Sequence, residues 1–197
     1  FDLSAEFWRN ALGGKDPMQG YELTLDRLRV LGERTIVCCD SPRSVRREKV
    51  ASYKSNRPPK PPEAVDALRA VEQRIADRGI PVALVDGWEA DDVIATICAQ
   101  AWPEEVAVTG AEKDYYALLA HDHVTLYGPK GRVVASDCEA KFGVQPHQMT
   151  DWLALAGDTS DGVPGCPGVG IEKATDLLVK FGTISAIKKA TRIQLEE

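Results

Sequence analysis

The sequence predicts an α/β fold, a mainly parallel sheet flanked by helices with a small helical subdomain after it. Three observations predict it. Short apolar runs, rich in β-branched residues and without polar alternation, recur along the first two thirds of the chain. Helical periodicity fills most of the gaps between them, the pattern of βαβ units around a parallel sheet. The chain then changes character near Gly143, where glycine-rich and purely helical patterns take over.

Taken in order, the first run is Phe1-Asp2-Leu3. The second, TIVCCD (Thr35 to Asp40), places Cys38 and Cys39 on opposite faces of a strand, because side chains alternate along it. A basic segment, 43–60, follows and closes in the stiff, proline-rich SNRPPKPP. Ala64, Val65, Leu68, Val71 and Ile75 recur three and four residues apart, as one face of a helix does. IPVALVD (Ile80 to Asp86) is the third strand, and Ala90, Val93, Ile94, Ile97 and Ala101 mark the helix after it. VAVTG (Val106 to Gly110) and VTLYG (Val124 to Gly128) complete an α/β core expected over residues 1–143. In the expected subdomain, 144–197, a helix over Gln145 to Ala156 puts Met149, Trp152, Leu153 and Ala156 on one face. The stretch GDTSDGVPGCPGVGIEKA then leads to two helices, Ile171 to Lys180 and Ile184 to Ala190, parted by Gly182.

Composition narrows the function classes. Hydrophobic residues make up 44% of 197, enough to bury a real core. No run approaches the roughly 18 apolar residues of a membrane span, no signal peptide is visible, and the chain opens on Phe1. Five cysteines without C-x-x-C spacing read as buried, reduced thiols of a cytoplasmic protein, expected as a monomer. The net charge of −6 argues against a generic polyanion binder, yet the charge is unevenly spread. Between Arg43 and Lys60 seven bases face one acid, Glu48, so that segment is +6 and the remainder −12. Such asymmetry marks a local phosphate-contacting surface; a solvated basic loop is the plain alternative.

Acidic residues gather where strands should end. Asp2 and Asp40 belong to the first two strands, Glu89, Asp91 and Asp92 open the helix after the third, Glu112 and Asp114 follow the fourth, and Asp158 and Asp161 begin the glycine-rich stretch. Singly, each has a plainer role: Asp91 and Asp92 complement a helix dipole, Asp40 turns the chain, Asp114 caps a helix. Together they converge on one sheet edge, where nine anions repel one another unless hard divalent cations are held among them. Two such ions suit phosphodiester hydrolysis, with the bases gripping phosphate. Gly165 to Gly170 ahead of a helix, with Lys173 nearby, offers free backbone N–H groups to a second phosphate. Asp86 and the three histidines stay outside this set.

The words GWEADDVIAT, GAEKDYYALL, LAGDTSDGVPGCPGVGIEKAT and VRREKVASYKSNRPP resemble the 5′-nuclease family, which spans the 5′→3′ exonuclease domain of bacterial DNA polymerase I, phage exonucleases and flap endonucleases. The resemblance runs in order from Asp2 to about the chain end. It implies a PIN-like core, two Mg²⁺ (or Mn²⁺) ions, and a helix–three-turn–helix that binds duplex DNA. It assigns Asp2, Asp40, Glu89, Asp91 and Asp92 to one metal group, and Asp114, Asp158 and Asp161 to the other. It places Arg46, Tyr53, Lys54 and Arg57 in the arch through which a free 5′ end passes, with Lys54 and Arg46 at the scissile phosphate; Arg43 and Arg47 of the same basic segment are expected to bind DNA beside them. Gly165, Gly168, Gly170 and Lys173 match the duplex-binding hairpin, where family members hold K⁺. Expected partners are DNA with a 5′ end, flap or nick, and a DNA polymerase domain or partner. Three departures stand out: Glu112-Lys113-Asp114 for D-K-D, Ser160-Asp161-Gly162 for S-D-N, and Asp2-Leu3 for Asp-Gly. A PIN-domain ribonuclease and a nuclease-dead DNA-binding module remain the alternatives.

Overall fold

The computed structural model describes residues 2, 3, 7, 34–110, 112–128 and 130–190; Phe1 of the first expected strand lies outside them. The strand Val37–Cys39 (β1) is buried at all three positions and pairs in parallel with Val82–Leu84 (β2), Val37 opposite Val82. Asp2 makes an isolated parallel bridge to Cys38. The alternation expected of the two cysteines is present: Cys38 packs into the larger core cluster, while Val37 and Cys39 pack with Leu3, Phe7, Leu68, Val71 and Ile75. The last three come from the helix Pro62–Asp77 (α2), so β1 is covered on both faces. Burying such side chains is worth about 1.5–3 kcal/mol each.

A second sheet departs from expectation. Val106–Thr109 (β3) runs parallel to Val124–Gly128 (β4), but β4 also pairs antiparallel with Gly131–Val133 (β5). Two of the three strand pairings are therefore parallel, in two small sheets rather than one. The short connection from Gly128 to Gly131 dictates the antiparallel return, since a parallel crossover needs a dozen or more residues. Three-residue β5 is too short to show any alternation in sequence.

Helix Ala90–Gln100 (α3) buries Ala90, Val93, Ile94 and Cys98 against the larger core. A 3-10 helix, Lys113–Ala120, lies between β3 and β4 and buries Tyr115, Tyr116, Leu118 and Leu119. Helix Ala135–Phe142 (α4) buries only Cys138 along its length, so no apolar stripe announces it. A 3-10 turn over Pro146–Gln148 then leads into Met149–Ala156 (α5), with Ile171–Phe181 (α6) and Ile184–Lys189 (α7) after the glycine-rich stretch. Ala174 and Leu178 of α6 are fully buried in the same cluster as β3, β4 and α3 residues. Gln148 Nε2 reinforces that junction by donating to the carbonyls of Leu178 (2.9 Å) and Gly182 (3.0 Å). Among the described residues no helix is long and apolar enough to cross a membrane, and four of the five thiols are buried.

Candidate metal and nucleic-acid site

Three of the expected carboxylates converge closely. Oxygens of Asp114, Asp158 and Asp161 lie within 4.8 Å of one another, although the first comes from the 3-10 helix and the others from the turn after α5. Desolvation raises the pKa of Asp114, and the neighbouring Asp158, Asp161 and Glu112 charges add to the rise. Burial opposes the charge of Asp158 too, but hydrogen bonds from Lys113 Nζ (2.7 Å) and Ser160 Oγ (2.6 Å) outweigh it and hold that carboxyl below its ordinary range.

The second set surrounds the start of α3. Asp40, at the end of β1, accepts the Ala90 N–H at 3.0 Å. Asp91 lines two clefts, one shared with Asp92, Asp114 and Tyr115 and the other with Tyr53, Asp158 and Asp161. Asp91 thus joins the two sets. Its Oδ1 is buried and accepts no hydrogen bond. Burial, with help from Asp92 and Glu89, lifts its pKa to about 6. Asp2, only 9% exposed, accepts the Tyr115 hydroxyl at 2.5 Å. Glu112 begins the 3-10 helix, is exposed, and is not one of the three converging carboxylates.

The basic segment lies directly on these acids. The short helix Val45–Lys49 (α1), capped by Ser44, aims Arg46 at α3. Arg46 Nη1 and Nη2 reach the Asp92 oxygens at 2.7 and 2.6 Å, and Nη1 reaches Glu89 at 3.1 Å and Asp91 at 3.6 Å. Lys54 Nζ and the Tyr53 hydroxyl both donate to Glu89 Oε2, at 2.8 and 2.7 Å. Those bonds overcome the burial of Glu89 and keep it ionised. The Tyr53 ring lies beneath Lys54 Nζ, 4.9 Å from its centroid, and is buried. Arg57 pairs with Asp161. Arg43 faces away, tied to Glu48 (2.7 Å) and Asp86 (2.9 Å), while Arg47 is exposed. Asp86 is therefore an anchor for Arg43, apart from the acidic cluster.

Backbone contacts clamp this segment to the turn after α5, a feature no spacing revealed. Lys54 N–H donates to Asp161 O (2.7 Å), Asn56 Nδ2 to Thr159 O (2.9 Å) and Arg57 Nε to Ser160 O (3.3 Å). Gly162 permits the approach: a Cβ there would sit 2.3 Å from the Ser52 carbonyl oxygen. In the hairpin, Gly165 at φ +69 lies against α5 so closely that a Cβ would come within 2.6 Å of Gly157 N. Gly168 and Gly170 have open space around them, and Lys173 is exposed on the first turn of α6.

Comparison with known proteins decides the lineage. The model of the 5′-3′ exonuclease N-terminal resolvase-like domain matches residues 23–143, and that of the 5′-3′ exonuclease C-terminal SAM fold matches 144–197. The chain belongs to the 5′-3′ exonuclease family. Among relatives of this exonuclease-family chain, flap endonuclease Xni of Cronobacter sakazakii is 35% identical over 145 residues, 72% of this chain and 58% of that protein. The thermostable DNA polymerase I of Thermus aquaticus is 34% identical over 169 residues, 84% of this chain and 20% of the polymerase. The chain thus spans little more than half of one relative and a fifth of the other. Its fold is also that of the T5 5′-exonuclease with bound zinc ions (TM-score 0.79, 22% identity, 98% of this chain and 79% of that one). The catalytic core of Rad2 with its DNA substrate shares it as well (TM-score 0.64, 16% identity, 95% of this chain and 62% of that one).

Proposed function

We propose that this chain is a structure-directed 5′-nuclease that hydrolyses DNA phosphodiesters at a 5′ end, flap or nick, using two divalent ions, Mg²⁺ or Mn²⁺. The observation that carries the reading is the convergence of Asp114, Asp158 and Asp161 within 4.8 Å beside the basic segment. These three would hold one ion; Asp2, Asp40, Glu89, Asp91 and Asp92 would hold the other. The donor set fits, being all hard oxygen, and the buried Asp91 Oδ1 without a hydrogen bond suits a cation rather than a proton donor. Bound zinc in the T5 enzyme and bound DNA in the Rad2 core support both halves of the reading. An ion pair in such a site supplies Lewis-acid activation of water and stabilisation of the leaving oxygen.

The chain's own groups do the rest. Lys54 and Arg46 already stand at the carboxylates, where they would stabilise the developing charge of a phosphate. Tyr53 backs both cations. Arg47 and Arg57 would hold the strand, whereas the expected role of Arg43 there gives way to its ties to Glu48 and Asp86; residues 144–197 would grip duplex through Gly165, Gly168, Gly170 and Lys173, with K⁺ bound at the hairpin. Residues 1–143 form the metal-bearing core in this reading, and a DNA polymerase domain or partner suits the kinship with polymerase I. The test is Mg²⁺-dependent cleavage of 5′-labelled flap, nicked duplex and single-stranded RNA by the wild type and Asp161→Ala. We expect flap and nick to be cut, and Asp161→Ala to cut at least about a hundredfold more slowly while staying folded. Wild-type rates in Asp161→Ala would remove the metal reading, and a preference for RNA would make the chain a ribonuclease.

A further inference from the structure

Asp2 is held in two ways. Its backbone bridges to Cys38, which fixes the chain, and its carboxylate accepts a hydrogen bond from a tyrosine 113 residues away, which fixes the side chain. At 2.5 Å that bond is as short as a hydroxyl-to-carboxylate bond becomes when the acceptor is charged. Tyr115 is 3% exposed, so water does not compete for its hydroxyl. Its ring packs in the larger core cluster while its hydroxyl reaches Asp2, and it lines the cleft shared by Asp91, Asp92 and Asp114.

Two further features show that the ring has a prepared place. Gly110, at φ +122, faces it so closely that a Cβ would sit 3.1 Å from Tyr115 Cε2 and 3.3 Å from Cδ2. A methyl group at 110 therefore presses the ring aside by a few tenths of an ångström and strains the backbone at φ +122. The 3-10 helix, secured by the Tyr115 N–H to Glu112 O bond (3.1 Å), presents consecutive residues to the two carboxylate sets: Asp114 to Asp158 and Asp161, Tyr115 to Asp2.

We propose that Tyr115 is a positioning residue for Asp2, orienting its carboxylate toward the divalent ion of the first set, and that Gly110 makes the space for it. The inference rests on the reading of Asp2 as a metal-holding residue. A hydrogen bond from the second layer fixes which oxygen of a carboxylate turns to a cation, and losing such a partner weakens metal binding by about 10–100-fold. A tyrosine that merely fills the core loses nothing of this kind when its hydroxyl is removed.

The experiment is calorimetric Mn²⁺ binding to the full chain without DNA, for wild type, Tyr115→Phe, Asp2→Ala, the double variant and Gly110→Ala, with near-ultraviolet circular dichroism to confirm folding. We expect Tyr115→Phe to weaken one Mn²⁺ site by about tenfold or more. Gly110→Ala, with the hydroxyl intact but the ring pressed from behind, should act in the same direction. The double variant should bind no more weakly than Asp2→Ala, because Tyr115 acts through Asp2. Wild-type affinity in Tyr115→Phe beside a lost site in Asp2→Ala overturns the positioning role and leaves the metal reading intact. So does a double variant in which the two losses add. Wild-type affinity in Asp2→Ala overturns the metal role of Asp2 and this inference with it. Should Tyr115→Phe fail to fold, wild-type affinity in Gly110→Ala overturns the proposal by itself.

Discussion

Asp91 joins the two carboxylate sets at the expense of its own solvation. With Oδ1 buried and without a hydrogen bond, its pKa is pushed up to about 6, above the roughly 3.9 of an unfolded aspartate. A raised acid pKa means that the folded state binds the proton more tightly, so stability falls as pH rises from about 4 to about 6 and stays low above. Because a third of the side chain (33%) is accessible, the cost discounts to roughly 1–2 kcal/mol. Asp91→Asn should therefore raise the melting temperature of the metal-free protein at pH 7.5 by several degrees, at about 2–4 °C per kcal/mol, while abolishing cleavage. The gain should shrink to nothing near pH 4. Equal melting temperatures at pH 7.5, measured in EDTA, would show that the charge carries no strain. Glu112 differs in kind: exposed at a helix start, it adds charge beside Asp114 without joining the converging three.

Among elements, the clamp between residues 52–57 and the turn 158–162 decides where the basic segment stands. Lys54 takes φ +52, uncommon for a residue with a side chain, while its N–H bonds Asp161 O and its Nζ bonds Glu89. Its ammonium is therefore placed by backbone geometry as well as by charge. Gly162→Ala puts a methyl group where the Ser52 carbonyl lies and adds strain at φ +71, so the clamp must open. We expect a loss of about 1–3 kcal/mol of stability, faster proteolysis within residues 50–57, and a fall in single-turnover cleavage larger than any change in DNA affinity. Unchanged cleavage at full stability would show that the clamp does not position Lys54.

Across the whole molecule, the charge imbalance resolves into two tiers. Arg46, Lys54 and Arg57 are neutralised by carboxylates of the site, while Arg47, Lys49 and Lys173 stand exposed. DNA binding should accordingly weaken with salt, log affinity falling by about 0.9 for each duplex phosphate contacted per decade of salt. Arg47→Ala should lower that slope by about one contact, whereas the exposed Lys188 on α7 should leave it unchanged when replaced by alanine. Anisotropy titrations of duplex DNA between low and moderate salt measure both slopes, and identical slopes for the two variants would reduce the basic segment to a solvated loop.

Residue order alone determined the strand–helix alternation, the covered faces of β1, the helices α2, α3, α5, α6 and α7 to within a few residues, and the family, because periodicity, proline, glycine and motif spacing act over short stretches. It also singled out the carboxylates, since strand ends in an α/β chain are local events that the topology later gathers. The short antiparallel β5 and α4 escaped it because neither carries enough apolar residues to set a period. Only the tertiary structure decided which acids meet, which bases neutralise them, and what stands behind each one. Tyr115 and Asp2 are 113 residues apart, Asn56 and Thr159 are 103 apart, and no pattern along the chain couples such pairs. Their meeting depends on how β1, the 3-10 helix and the turn after α5 pack together, and packing is set by the shapes of side chains from all three at once.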